Sequence, residues 1–595
     1  MTIAKIQRDA GAEYALHGIQ GRNPALDWRL QFHDDGVDIA EAKSNSERSL
    51  RIKLSRIGNA QHLVDLKSIK PEISKNRVSY RHPTVEEWYI NGPLGLEQGF
   101  NVPHSMGNEL VIELSTSWAA QSQGNAIELS EGDNRWYFGS LYAMDSTGKT
   151  LPSSMKVENG RIKLEVSTRH ARFPIVIDPI ITKKTTLAAN DQTPFLGFGR
   201  SIALSSDGNT AVIGSDGNAA YIYKRTATGW ALAQKLIKPT TLRCNSTNPA
   251  WFGWSVAISK DGSTVMVGSS GIFTLYIGGF IPVPVFHSCG DLPVYRKQGT
   301  QWVLEKLLST PNVSVDDMFG SSVSLSHDGN RAIVGAQLTK CTSIADICGA
   351  AYIFERGTNG WTSPKRFVST TTYDASQGYF GATTAISGDG LWAFVGAPGG
   401  DTAWAFQRLA APTGWKQIQA IKFAPTRLTK DFGTALAMSA IGDRAVITAE
   451  STTNISDCKG DYNDCGAAYS FIRQGAIWKF ESVFTATDSH SFNYFGESIT
   501  MSGDGKRVVV GTNSADCVNG NCGAAYLFDR IGTTWVQQGR VTGPSAGLGG
   551  TDLGGDFGGA VSIAYTGLSF LVAARRDNCV AGKECGKVYH YVIGN

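Results

Sequence analysis

The chain is poor in charge, has no long apolar run, and carries no cysteine in its first 180 residues. Charged residues fill 18% of its 595 positions, where ordinary globular chains carry about 25%. No stretch reaches the roughly 18 consecutive apolar residues that a membrane-spanning helix needs, so no transmembrane segment is expected. The 55 basic and 52 acidic residues are well mixed. Without a Lys/Arg stripe, nucleic acid is a poor partner. Chemistry has few handles either. The ten histidines are scattered, and H-E-x-x-H, phosphate-cradling and C-x-x-C patterns are all missing. The expectation is a protein that binds rather than an enzyme.

What is abundant is glycine, with 67 residues, and it falls in a repeating grammar. The segment from Phe319 to Trp361 shows it best. An FG pair opens a short alternating run, a His-Asp-Gly turn follows, a second apolar run leads to a Cys-bracketed loop, and AAYIF precedes a turn and a Trp. FG recurs in this setting at 198, 252, 319, 380, 432, 495 and 557, spaced 52 to 67 residues apart. Each copy reads as four strands. In the first they are Ser201–Ser205, Thr210–Gly214, Ala219–Arg225 and a strand from Trp230, with further outer-strand tryptophans at 302, 361, 415, 478 and 535. Small residues in the first two strands suit a crowded centre. Four-stranded units repeated around an axis make a propeller.

The seventh repeat lacks an outer Trp strand, because its third strand (Val588 to Tyr591) is followed by the end of the chain. Just ahead of the first FG lies IITKKTTLAAN (Ile180 to Asn190), in register with outer strands such as WVLEKLLSTP. Residues 181–188 are therefore expected to pair with 587–592, closing the ring and covering a bare edge. The first 179 residues form a separate module of alternating strands, among them Leu50, Ile52, Leu54 and Leu110, Ile112, Leu114. Asn159-Gly160 fits a two-residue type I′ hairpin turn. The fold class expected is all-β: a β-sandwich-like N-terminal domain (1–179), then a seven-bladed β-propeller (180–595) in which 180–190 complete the last blade.

The FG…DG…GAAY pattern over 195–595 resembles the FG-GAP repeats of integrin α-subunit propellers and, more closely, bacterial FG-GAP proteins. The segments YRHPTVEEWYINGPLGLEQGF and WYFGSLYAMDSTGKTLPSSMKVENGRIKLEVSTRHARFPIVIDP resemble a module that precedes such repeats in exported bacterial proteins. One departure concerns calcium. Integrin blades that hold it carry D-x-D-x-D-G loops, whereas these turns read SSDG, SKDG, SHDG and SGDG. One carboxylate per turn falls short of the six to eight oxygens calcium takes. No cofactor is expected. Calcium at these turns, or at the cluster Asp457, Asp461, Asn463 and Asp464, is the weaker alternative.

All ten cysteines lie in the repeats. Cys341/Cys348, Cys458/Cys465, Cys517/Cys522 and Cys579/Cys585 flank the loop between the second and third strands, as hairpin staples would. Cys244 and Cys289 pair by elimination. Zinc is disfavoured because the pairs sit on different blades. Disulfides place the protein outside the cell or at its surface, with the periplasm as alternative. The opening MTIAKIQRDAGAEY has no secretory apolar core, so an export signal is expected to have been removed.

Loops on a rigid scaffold are where recognition concentrates. The loop of the second repeat, GIFTLYIGGFIPVPVFHS, is long and apolar. It either covers the leader domain or the ring opening, or contacts another chain. The second option makes Phe273, Tyr276, Phe280, Ile281, Phe286 and Trp251 a candidate partner surface, with Trp254 expected in the core. His327 is expected to be a solvated turn residue. The function expected is a non-catalytic extracellular module for protein–protein interaction, in adhesion or surface assembly. A carbohydrate-binding propeller is the first alternative, and an enzyme acting on polysaccharide the second. Sequons at Asn245, Asn312 and Asn454 permit glycosylation.

Overall fold

A computed structural model describes residues 12–592 except 25, 43–48, 93–94, 124–125, 133, 148, 150, 184, 227–228, 243–250, 278–280, 289, 310–316, 341–346, 369–377, 411–413, 423–430, 452–464, 489–492, 518–519, 522, 544–555 and 580–581. The chain divides into two units: Met1–Thr185 with Arg225–Trp230 and Tyr591–Asn595, and Thr186–Lys224 with Ala231–His590.

The first unit is built from two antiparallel sheets. One runs from Leu16–His17 through Trp28–His33, Leu50–Asn59 and Glu109–Thr116 to Ser153–Glu158. The other runs from Ala119–Gln123 through Asn134–Met144, Ile175–Lys183 and Gly95–Val102 to Glu72–Ser74. The alternation read in the sequence sets the register: Ile112 lies opposite Ile57, and Leu114 opposite Leu54. One apolar core draws on both sheets, with Trp28, Ile52 and Leu114 from the first and Phe100, Phe138 and Ile177 from the second. Burying each such side chain contributes about 1.5–3 kcal/mol. Asn159 and Gly160 turn with φ of 52° and 72°, joining Glu158 to Arg161 across the tightest connection a hairpin allows.

In the second unit each FG segment opens one antiparallel sheet of four or five strands. The second repeat, for example, orders Phe252–Ile258, Thr264–Ile277, Asp291–Gln298 and Gln301–Ser309. Three devices explain the grammar. In the S-x-D-G turn, Ser259 Oγ donates to Asp261 Oδ1 at 2.6 Å and accepts from the Thr264 amide at 2.9 Å, while the Ser263 amide donates to the same carboxylate at 2.9 Å. Ser205/Asp207, Ser326/Asp328, Ser387/Asp389 and Ser502/Asp504 repeat the pairing. The Asp is thus a turn-former, held by its own Ser and backbone. The Phe of FG is fully buried between the two aromatics of the A-A-Y-x-F strand: Phe319 meets Tyr352 and Phe354 edge-on at 5.5 and 6.3 Å. The Ser or Thr three residues after that Phe bonds the next repeat. Ser201 Oγ donates to the Gly253 carbonyl at 2.9 Å, Ser255 to Gly320 at 2.8 Å, Thr383 to Gly433 at 2.7 Å and Ser498 to Gly558 at 2.8 Å.

Successive repeats are further tied at both ends of their inner strands. At the Asp-Gly turn end, backbone bonds run from Ser206 to Lys260, Lys260 to His327, His327 to Gly388, Asp389 to Ala440, Ala440 to Gly503 and Gly503 to Tyr565. At the FG end, the Phe380 amide donates to Cys348 and the Phe495 amide to Cys465, each a residue of the preceding repeat. The same contact joins Phe198 to Cys585, the first repeat to the last. The last sheet orders Phe557–Ile563, Ser569–Ala574, Lys587–Val592 and Thr185–Leu187, so chain from ahead of the first FG forms its outer strand. That contribution is shorter than 181–188. Ile175–Lys183 continues the N-terminal sheet instead, with Ile180 opposite Glu97 and Gly139. Ile175, Ile177 and Ile181 are fully buried there.

Candidate functional site at the FG end

Two positions of each repeat lie at the FG end of the inner strands: the second residue after the FG Phe, and the second residue after the second strand's Gly, a place taken by Thr448 in the fifth repeat and Ala573 in the seventh. The first set reads Arg200, Trp254, Ser321, Ala382, Thr434, Glu497 and Gly559, and the second Asp216, Ser270, Gln337, Pro398, Glu450, Asn513 and Arg575. The flanking motifs recur while these residues do not. Strand geometry therefore fixes where they sit, and their chemistry is free to differ.

The charged members interact. Arg575 Nε donates to Asp556 Oδ2 at 2.8 Å, and its Nη1 lies 3.8 Å from Asp216 Oδ2. The Asn513 amide and side chain each donate to Glu497 at 3.0 Å. Arg200 lies flat on Trp254, its Cζ 3.5 Å from the ring centroid, and Trp254 stacks on Trp251 at 5.7 Å. Burial, then the nearby Asp556 and Glu450, push the Glu497 carboxyl up to about 8. Burial, then Arg575, push the Arg200 guanidinium down to about 10, while Asp216, Asp556 and Glu497 act the other way. Asp216 is raised by burial against the pull of Arg200 and Arg575. Arg200, Asp216 and Glu497 are nonetheless only half-buried, so part of each side chain reaches the surface.

At the other end of the inner strands, Tyr565 packs edge-on against His327 at 5.3 Å, with the Lys260 ammonium 4.3 Å from its ring. Gly388 and Gly503 leave room for these rings: an added Cβ would come within 2.3 Å of His327 and 2.0 Å of Tyr565. His327 is accordingly half-buried and not a solvated turn residue. Burial first, then Lys260, lower its pKa.

Trp254 is likewise not core. It is half-buried beneath Arg200 and beside Trp251, because it holds in the second repeat the FG-end position that Arg200 holds in the first. The apolar 271–288 segment extends as a β-ribbon, Thr264–Ile277 against Ile281–Ser288, pairing Ile272 with Phe286, Phe273 with Val285, Tyr276 with Pro282 and Ile277 with Ile281. Ribbon pairing meets the backbone's hydrogen-bonding needs in so apolar a segment. The side chains of Phe273, Tyr276, Ile281 and Phe286, and all of Phe280, lie outside the described residues.

Cys579 and Cys585 form a disulfide with Cα atoms 5.7 Å apart. Cys348 and Cys465 are disulfide-bonded. Cys517 pairs with Gly520 in a two-residue hairpin. Cys244, Cys289, Cys341, Cys458 and Cys522 lie outside the described residues, as do Asp457, Asp461, Asn463 and Asp464. Among the described residues no group of three or more His, Cys, Asp or Glu side chains is arranged to hold a metal, and no helix is long and apolar enough to cross a membrane.

The FG-GAP repeat family matches at residues 302–354 and 478–528. These matches support an FG-GAP repeat protein. Each begins in an outer strand (Gln301–Ser309 or Ile477–Phe484) and ends in the third strand of the following sheet. The repeating unit of sequence is thus offset by one strand from the sheet. Thr185–Leu187 stands in the same relation to the first FG as those outer strands do to theirs. No curated protein matches the chain.

The cluster of Arg200, Asp216, Glu497, Asp556 and Arg575 was not singled out by motif reading, since no two of its members form a known pattern. The available signal was the variable third letter of FGx[ST].

Proposed function

We propose that the FG-GAP unit is a closed seven-bladed β-propeller working as a non-catalytic binding module outside the cell, with its FG end turned to a protein partner. The observation that carries this is the combination at that end of a repeated framework and unrepeated side chains. Charges gather in the first, fifth, sixth and seventh repeats, while neutral and aromatic residues fill the second to fourth. A purely structural end would repeat like the S-x-D-G turns. The disulfides, and the resemblance to integrin-like binding proteins, support an extracellular setting. Catalysis is disfavoured because Glu497 is committed to Asn513 and Asp556 to Arg575.

Two measurements test it. Electron-microscopy class averages of the intact protein are expected to show a ring of seven lobes, and six, eight or an open arc would overturn the closure. Cross-linking of the protein in its native setting is expected to join partner peptides to residues flanking the FG end. Cross-links confined to the Asp-Gly turn end would refute that face.

A further inference from the structure

We propose that the side-chain cluster at the FG end is a binding site for an acidic saccharide, with Arg200 taking a uronate carboxylate and Asp216 taking a ring hydroxyl. The argument starts from unspent bonding capacity. Among the described residues no acceptor lies within hydrogen-bonding distance of the Arg200 guanidinium, although the group is half-buried and held flat on Trp254. Five N–H donors fixed in a plane match a carboxylate in a bidentate pair. Asp216 Oδ1 is buried without a partner, and so are the hydroxyls of Ser270 and Ser321. These two serines hold, in the second and third repeats, the positions that Asp216 and Arg200 hold in the first. Buried polar groups left unpaired cost about 1–3 kcal/mol each, a cost that a ligand's hydrogen bonds would offset.

The mixture selects the ligand. Serine hydroxyls both give and accept hydrogen bonds, and sugar hydroxyls do the same. A divalent cation would meet Arg200 and Arg575. A polyphosphate would meet Asp216, Asp556 and Glu450. A neutral sugar would leave the Arg200 fork unused. An acidic peptide would satisfy Arg200 but would supply few hydroxyls for Asp216 and the serines. Nothing here depends on a protein partner; the ring matters only in bringing the first, second, third, sixth and seventh repeats around one opening.

The test is titration calorimetry on the intact protein with three hexamers: oligogalacturonate, cellohexaose, and a peptide of alternating Glu and Gly. The expected result is binding of oligogalacturonate tighter than about 1 mM and no measurable binding of the other two. Arg200→Lys keeps the charge but loses the fork, and should weaken binding about 10- to 100-fold with an unchanged melting temperature. Asp216→Asn serves as the second variant, with a loss of about tenfold expected. The proposal is overturned if oligogalacturonate, oligoglucuronate and alginate hexamers all fail to bind. Equal binding of the neutral hexamer or the peptide, or affinity unaltered in both variants, overturns it as well.

Discussion

The backbone amide of Phe198 donates to the carbonyl of Cys585 at 3.0 Å. Phe380 does the same to Cys348, and Phe495 to Cys465, in neighbouring repeats. A contact that elsewhere joins consecutive repeats therefore also joins residues 387 positions apart. Gly586, next to this carbonyl, has φ of +83°, and an added Cβ would stand 2.0 Å from the Phe198 carbonyl oxygen. Gly586→Ala is expected to destabilise the protein by more than about 1 kcal/mol, from left-handed strain and the backbone clash together. Gly357→Ala has open space and no positive φ, and should stay within about 0.5 kcal/mol. Urea unfolding of both variants checks the contrast; equal stability would mean that the first and last repeats do not depend on each other.

The S-x-D-G turns yield a second expectation. Ser259 is buried, and its hydroxyl serves both Asp261 and the Thr264 amide. Ser259→Ala leaves that amide without an acceptor and should cost about 1–3 kcal/mol. Because the Asp261 carboxylate is already occupied by a hydroxyl and an amide, chelating calcium should leave the melting temperature of the unmodified protein unchanged. A marked drop on adding EDTA would show that these turns, or residues outside the described set, hold the ion.

The Cys579–Cys585 bridge spans a sequence separation of 6. In the chain-entropy account, a loop this short contributes about 2 kcal/mol. Replacing both cysteines by Ser should lower stability by about that amount under oxidising conditions and should not alter the response to a reductant at the remaining bridges. Chemical denaturation with and without dithiothreitol measures both effects.

Glu497 ties stability to pH. Its carboxyl, hemmed in by burial, Asp556 and Glu450 and countered by the Asn513 amide and Arg575, sits at about 8 against an ordinary 4.5. The folded protein therefore keeps a proton that the unfolded chain releases between those values. Stability from this group is lost as pH rises through the window and levels off above about 8. Glu497→Gln should remove that share, so the variant should gain on the unmodified protein from pH 5 to pH 8. Melting curves across this range decide it, and a difference independent of pH would show that Glu497 is already ionised when folded.

Local rules account for much of what was legible in the chain. The alternation of Leu50, Ile52 and Leu54, the Asn159-Gly160 turn, the Ser-x-Asp-Gly turns and the spacing of FG pairs each specify a strand or a hairpin, because their physics acts within a few residues. The same rules underlie the all-β reading and the outer strand supplied from ahead of the first FG. They stop short of three outcomes. Ile180–Lys183 joined the N-terminal sheet although its pattern suited an outer blade strand equally well, and His327 and Trp254 left the environments their own segments suggested.

Sequence alone determined the strands, the turns and the order of the repeats, since hydrogen bonding and side-chain alternation repeat at short range. Only the tertiary structure decided that Arg200, Asp216, Glu497, Asp556 and Arg575 meet. They are drawn from both ends of a long stretch of chain, and no local periodicity links them. Their shared environment arises when the first repeat docks on the last, and that crowding moves the Glu497 and Arg200 ionisations and leaves Arg200 with donors to spare.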